Sequence, residues 1–168
     1  MRTTFFTLCM LAAPAIALAA PPRLVVTSSA FKPNGAIPTE YTCNGSEISP
    51  PLSWSAVPND TRTIAILVDD PDAPGGTFTH WLVTGIPATS TGVLAGAALP
   101  DGAMAAKNDK GNMGYAGPCP PSGRHRYRFM VFALDTSVPR PANRAELLSS
   151  IRGHVLAKGE LDATYTAP

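Results

Sequence analysis

Alternation of apolar and polar positions is clearest from His125 to Leu134. His125, Tyr127, Phe129, Val131 and Ala133 fall on one face of a strand there, and Arg126, Arg128, Met130, Phe132 and Leu134 on the other. Arginines open the second face, so that end of the strand is expected to meet solvent. Thr63 to Val68 differs: it is a short, near-continuous apolar run rich in β-branched residues, which predicts a strand buried on both faces. Leu24 to Phe31, Leu52-Ser53-Trp54 and Phe78 to Ile86 read as further strands, and Glu160 to Tyr165 as a last one. Pro33-Asn34-Gly35 marks a turn, and a proline-marked stretch over residues 36–51 follows it. The period becomes helical from Ala142 to Ala157, where Leu147, Leu148, Ile151 and Val155 share a face. Asn143 can cap that helix, with Glu146 three residues on as in a capping box, while Gly153 weakens its later half.

These elements predict a mainly β fold: a β-sandwich of Greek-key type with one or two short C-terminal helices. The 18 prolines and 14 glycines among 168 residues are too few for a low-complexity chain and match one with many turns. Neither an internal repeat nor a linker interrupts the pattern, so a single domain is expected. A net charge of +1 provides no field to steer the chain to nucleic acid or to an anionic membrane surface.

The first 19 residues stand apart. Arg2, the mostly apolar run Phe5 to Leu18, and Ala17-Leu18-Ala19 have the layout of an export signal with an A-x-A cleavage site. Cleavage is expected after Ala19, leaving residues 20–168 as one domain in the periplasm or outside the cell. The apolar run is shorter than the ~20 residues of a spanning helix, and no later stretch is long enough, so no transmembrane segment is expected in the mature chain. Cys9 would leave with the signal. Cys43 and Cys119 would remain, either as a disulfide or as two buried thiols.

Two polar clusters carry candidate chemistry. One is Asp69-Asp70-Pro71-Asp72-Ala73-Pro74, followed by Thr79-His80-Trp81. It begins where the buried strand ends. Carboxylates are expensive to bury, which places them at a sheet edge or in a loop. The other is the stiff loop Gly114-Tyr115-Ala116-Gly117-Pro118-Cys119-Pro120-Pro121, running through Ser122-Gly123-Arg124 into His125-Arg126-Tyr127. Bare loop N–H groups beside a histidine and a tyrosine hydroxyl suit an anion. Taken alone, each cluster is also the composition of an ordinary structural turn.

Taken together the clusters resemble the phosphatidylethanolamine-binding protein family, also called Raf-kinase-inhibitor-like proteins. The resemblance rests on D-P-D-A-P at 70–74, H-W at 80–81 and the run from Gly114 through G-P-C-P-P and H-R-Y to Phe129. Tyr41-Thr42-Cys43-Asn44-Gly45, Ser49-Pro50-Pro51-Leu52-Ser53-Trp54 and Phe132-Ala133-Leu134-Asp135 look like the bacterial, exported branch. The resemblance implies a β-sandwich with a small pocket for phosphate-like anions or phosphorylated head groups. By motif position the pocket residues would be Asp70, Asp72, His80, Gly117, Pro118, His125 and Tyr127. One departure is the loop itself, G-P-C-P-P here, one residue longer than in animal members.

The expected function is therefore non-catalytic binding of a phosphate-like anion. Histidines, the tyrosine hydroxyl and loop amides would donate to it, and the carboxylates would orient the imidazoles and favour their charged form. An enzyme is not expected, because no G-x-S-x-G elbow accompanies Ser122 and prolines flank Cys119. No close paired-ligand spacing points to a metal, and no other cofactor is implied. The alternative is an inhibitor or interaction module for a protease or another cell-envelope protein. The loop Gly102 to Met113 would be its surface, unless that loop is simply solvated and mobile.

Overall fold

The computed structural model describes residues 22–168. The expected cleavage point after Ala19 and the residue Cys9 lie outside the described residues. In chain order the elements are β1 (Val25–Thr27), a 3-10 turn (Thr39–Tyr41), β2 (Leu52–Ser55), β3 (Thr63–Asp70), β4 (Phe78–Pro87), β5 (Gly92–Val93), β6 (Met104–Ala105), β7 (Arg124–Leu134), α1 (Arg144–Ser150) and β8 (Val155–Thr166). They form two sheets, ordered β1-β2-β5 and β6-β4-β3-β7-β8. The pairings within both are antiparallel.

β3 lies in the middle of the larger sheet, which explains its unbroken apolar run. Its side chains alternate between two cores. Ile64, Ile66 and Val68 join Val26, Leu52, Trp54 and Val93 of the small sheet, together with Tyr127, Phe129 and Val131 of β7. Ala65 and Leu67 face the other way and pack with Met130, Phe132 and Leu134 against Leu147 and Ile151 at the helix. β7 thus divides into the two faces expected of it, with Arg126 exposed and Arg128 partly so at the basic end.

Three expectations need correction. The first strand has only three residues. After Thr27 the chain leaves β2 and crosses to the free edge of β8, where Asn34 N donates to Asp162 O (2.7 Å) and Ile37 N to Thr164 O (2.7 Å). The helix is also shorter than predicted, spanning Arg144–Ser150. Asn143 caps it by accepting from Glu146 N (2.9 Å), while the Glu146 carboxylate reaches back to Ala142 N (2.7 Å) instead of to the cap residue. Gly153 then takes a left-handed conformation (φ 81°), and the chain re-enters the sheet at Val155. From there Ala157, Gly159, Leu161 and Ala163 point inward with period two, a pattern the helical reading overran. Gly159 is needed because a Cβ there would lie 2.6 Å from Leu24 O of the crossing chain.

The third correction concerns Asp69 and Asp70, which end β3 inside the sheet and not in a loop. Both are buried. Burial of Asp69 is tolerated because two arginines meet it. Arg128 donates through Nε (2.7 Å) and Nη2 (2.9 Å), and Arg144 at the start of α1 donates through Nε (2.9 Å). That cluster ties β3, β7 and the helix together.

The loop after β6 is strapped to β4 and is not loosely solvated. Asp109 exchanges hydrogen bonds with Thr79, and the buried Asn108 side chain accepts from Lys110 N and Asn112 N and donates to Gly114 O. Across from it Cys43 and Cys119, 76 residues apart, form a disulfide with Cα atoms 5.5 Å apart. The backbones run so close there that a Cβ on Gly117 would lie 2.8 Å from Thr42 C, and Cys43 N donates to Pro118 O (3.1 Å).

Two measurements check this description. Arg128→Ala removes a bidentate partner from the fully buried Asp69 and is expected to lower unfolding free energy by about 3 kcal/mol in urea denaturation. In protein beginning at Ala20, denatured without reductant, a thiol assay should find no free sulfhydryl. Reduction of a cross-link of this span should lower stability by roughly 4–5 kcal/mol in the chain-entropy account.

Candidate functional site

The predicted residues meet where β3, β4 and β7 come to one end of the large sheet beneath the 114–121 loop. Asp70 is the last residue of β3 and is buried. One of its oxygens accepts from Asp72 N (2.8 Å), closing the D-P-D turn, and the other lies 2.7 Å from His125 Nδ1. A carboxylate accepts, so His125 Nδ1–H donates and Nε2 is directed away from the pair. Asp72 is exposed and acts on backbone: its Oδ2 accepts from Arg126 N (2.9 Å). The two aspartates therefore hold the start of β7, one by a side chain and one by the main chain.

His80 projects from β4 and is also buried. Its Nδ1 lies 2.7 Å from Ala116 O, and Ala116 N donates to His80 O (2.8 Å), so the loop is clamped to the strand in both directions. A carbonyl can only accept, which puts a proton on His80 Nδ1 and leaves Nε2 to face the site. The imidazole packs on Phe78 (centroids 4.8 Å) and meets Tyr127 edge-on (5.2 Å). Burial holds its pKa below the ordinary histidine range, outweighing the Ala116 carbonyl and the Asp70 charge, which act upward. His80 is thus mainly neutral at neutral pH, contrary to the expectation that nearby carboxylates keep it charged.

Tyr127 lies on the same face of β7 as His125 and is fully buried. Among the described residues no partner meets full hydrogen-bond geometry with its hydroxyl, but the Asp70 carboxylate lies within reach of it as an acceptor. Burial and then the charge of Asp70 push its pKa far above the usual phenol value, so the group stays a neutral donor.

Loop donors are fewer than the sequence suggests. Pro118, Pro120 and Pro121 have no N–H, and Ala116 N is used by His80. Gly117 N is not bare: it donates to Glu47 Oε1 (3.0 Å), and Lys110 Nζ approaches the same oxygen (2.6 Å). Neither Glu47 nor Lys110 lies in a recognisable motif. They are 63 residues apart and meet only because the strapped loop carries Lys110 and the disulfide-linked segment carries Glu47. Tyr165 was also missed as a neighbour. It pairs with His125 across β7 and β8, and its hydroxyl accepts from Asn44 Nδ2 (2.8 Å).

Larger openings lie elsewhere. A groove of about 710 Å³ runs between residues 22–26, Pro33-Asn34 and the free edge of β8, and one of about 420 Å³ lies by Lys107, Arg140 and Glu146. The His80–His125–Tyr127 cluster lines neither of them.

A two-sheet β fold here brings paired aspartates, two buried histidines and a buried tyrosine under a glycine-proline loop, and the comparisons give the ligand-binding family to which such a chain belongs. Residues 27–166 match the phosphatidylethanolamine-binding protein family, and the chain belongs to it. A UPF0098 protein of Methanothermobacter thermautotrophicus is 46% identical over 142 residues, spanning 81% of this chain and 94% of its own length. One from Chlamydia muridarum is 38% identical over 147 residues, spanning 83% and 97%. Among solved structures, the phosphatidylethanolamine-binding protein homolog CT736 from Chlamydia trachomatis superposes with a TM-score of 0.82 at 36% identity, over 88% of this chain and 99% of that one. YbcL of Escherichia coli, described as a member of the mammalian family, gives 0.81 at 36% identity, over 87% and 99%. Archaeal and bacterial relatives appear together, so the similarity defines the family and not a bacterial exported branch of it.

Followed by imidazole NMR, His80 is expected to protonate below the ~6.5 of an unperturbed histidine. A midpoint at or above that value would contradict the burial argument.

Proposed function

We propose that this protein binds phosphate-like anions or phosphorylated head groups without transforming them. The observation that carries the reading is the clustering of three buried polar side chains, His80 edge-on to Tyr127 (5.2 Å) and His125 two residues from Tyr127 on the same face of β7, with Nδ1 of both histidines already engaged. Three groups that can donate to one small anion converge where β3, β4 and β7 end. Asp70 contributes indirectly by fixing the His125 ring, and Asp72 by fixing the β7 backbone. Gly117 and Pro118 form the roof. Membership of a family named for phosphatidylethanolamine binding supports a phosphorylated ligand.

Catalysis is not part of the reading. Cys119 is engaged in the disulfide and offers no thiolate. Export to the periplasm or beyond is proposed from residues 1–19, and a disulfide between Cys43 and Cys119 suits an oxidising compartment. Because each histidine already donates through Nδ1, each must carry a second proton before its Nε2 can donate, so anion binding and protonation of the histidines favour each other. Once the ligand's own titration is corrected for, affinity should rise as pH falls through the lowered His80 value and decline above it.

Calorimetric titration with phosphate and phosphorylethanolamine tests the proposal. The wild type is expected to bind both, and His80→Ala and His125→Ala each to weaken binding at least about tenfold, the loss of one charge-assisted hydrogen bond. Folded wild-type protein that binds neither would remove the anion reading and leave the family fold in place.

A further inference from the structure

The loop after β6 and the chain that enters α1 form the two walls of the cleft of about 420 Å³, and each wall brings a cation to it. We infer that this cleft is a docking site for an acidic segment of a partner protein, one in which carboxylates flank an apolar residue. The inference goes beyond the anion-binding reading and uses no residue of that site.

The charge inventory makes the case first. Lys107 stands on one wall and Arg140 on the other. Among the described residues neither makes an ion pair, although the next cation along each segment does: Lys110 meets Glu47 (2.6 Å) and Arg144 meets Asp69 (2.9 Å). The nearby carboxylates are turned to the main chain. Glu146, in the lining, accepts from Ala142 N (2.7 Å), and Asp109, two residues past Lys107, accepts from Thr79 N (2.7 Å). The rest of the lining is apolar, namely Met113, Pro141 and Ala142, and Met113 is 52% exposed. A large apolar side chain left in water beside two unpaired cations is the complement of an apolar residue beside two carboxylates. The flexible thioether adapts its shape to what it meets.

Both cations also stand on backbone that is already fixed. Lys107 pairs with Met113 across an antiparallel bridge. It lies between Ala106, whose N donates to Leu82 O (2.9 Å), and the buried Asn108, whose N donates to Asn112 O (2.9 Å). Arg140 lies between Pro139 and Pro141, where the ring of Pro141 restricts the backbone before it, and Val138 and Pro141 are buried. Little main-chain freedom remains to be lost when a partner binds. The cleft is separate from the anion site. Ala106 and Val138 pack in the core on the helix side of the large sheet, whereas Tyr127 faces the core shared with the small sheet. A concave cleft with apolar lining suits a chain segment, while a net charge of +1 provides no field to draw a flat anionic bilayer.

The test follows methionine methyl resonances by NMR as probes are titrated in at low salt. The main probe is a short capped peptide in which glutamates flank a leucine. The controls are the same peptide with glutamines for glutamates, the same peptide with alanine for leucine, and phosphatidylglycerol vesicles. The glutamate peptide should shift the exposed Met113 methyl saturably and leave the buried Met130 methyl unmoved. Lys107→Ala and Arg140→Ala, both at exposed positions, should keep the folded spectrum and each weaken binding by up to about fivefold, the range of exposed ion pairs. The double variant Lys107→Glu, Arg140→Glu should abolish binding, and high salt should suppress it in the wild type. The glutamine peptide should leave Met113 unmoved, and loss of the leucine should weaken binding. No saturable shift with the glutamate peptide, an equal shift with the glutamine peptide, or undiminished binding by the folded double variant overturns the docking site. A Met113 shift produced by the vesicles alone overturns it too, by assigning the cleft to lipid.

Discussion

Two adjacent carboxylates buried at the end of a central strand are the constraint on which this structure depends. Side chains alternate along β3, so Asp69 and Asp70 point to opposite faces of the sheet. Asp69 enters the helix side and draws in Arg128 and Arg144, which fastens α1 to the sheet. Asp70 enters the side shared with the small sheet and fixes the His125 ring. One step along the backbone therefore separates the anchor of the helix from the group that fixes the His125 ring. A shift of β3 by a single residue would exchange them and leave an uncompensated charge on each face.

The roof of the site is held by different means. Neither a long helix nor a deep core lies over it. Instead the Cys43–Cys119 cross-link, the close passage of Gly117 against Thr42 and the two-way His80–Ala116 clamp bring three sequence-distant segments to one point. Beneath it the buried Tyr127 hydroxyl lies between the edge of the His80 ring and the Asp70 carboxylate.

Much of this was legible in the sequence. The two-faced division of β7 followed from strict alternation, and the double burial of β3 from its uninterrupted β-branched run. All seven residues marked by the resemblance lie together at one end of the sheet. What escaped had physical causes. Residues from Val155 onward satisfied a helical period by accident, and only the left-handed Gly153 separates the helix from β8. The aspartates were placed outside the strand because their partners, Arg128 and Arg144, are 59 and 75 residues away and no local pattern announces them. Glu47 and Lys110 were invisible for the same reason. Their meeting depends on two loops whose courses are set by the disulfide and by the buried Asn108, not by periodicity.

The disulfide also has a topological consequence. It closes the chain from Cys43 to Cys119 into a covalent ring, and that ring contains β2 through β6, including Asp70, Asp72 and His80. His125 and Tyr127 lie on the tail that leaves it. A peptide bond cut anywhere within the ring would leave the two pieces joined through sulfur, with both histidines still on one molecule. For a protein proposed to work outside the cytoplasm, the cross-link keeps the parts of the site covalently joined through such a cut.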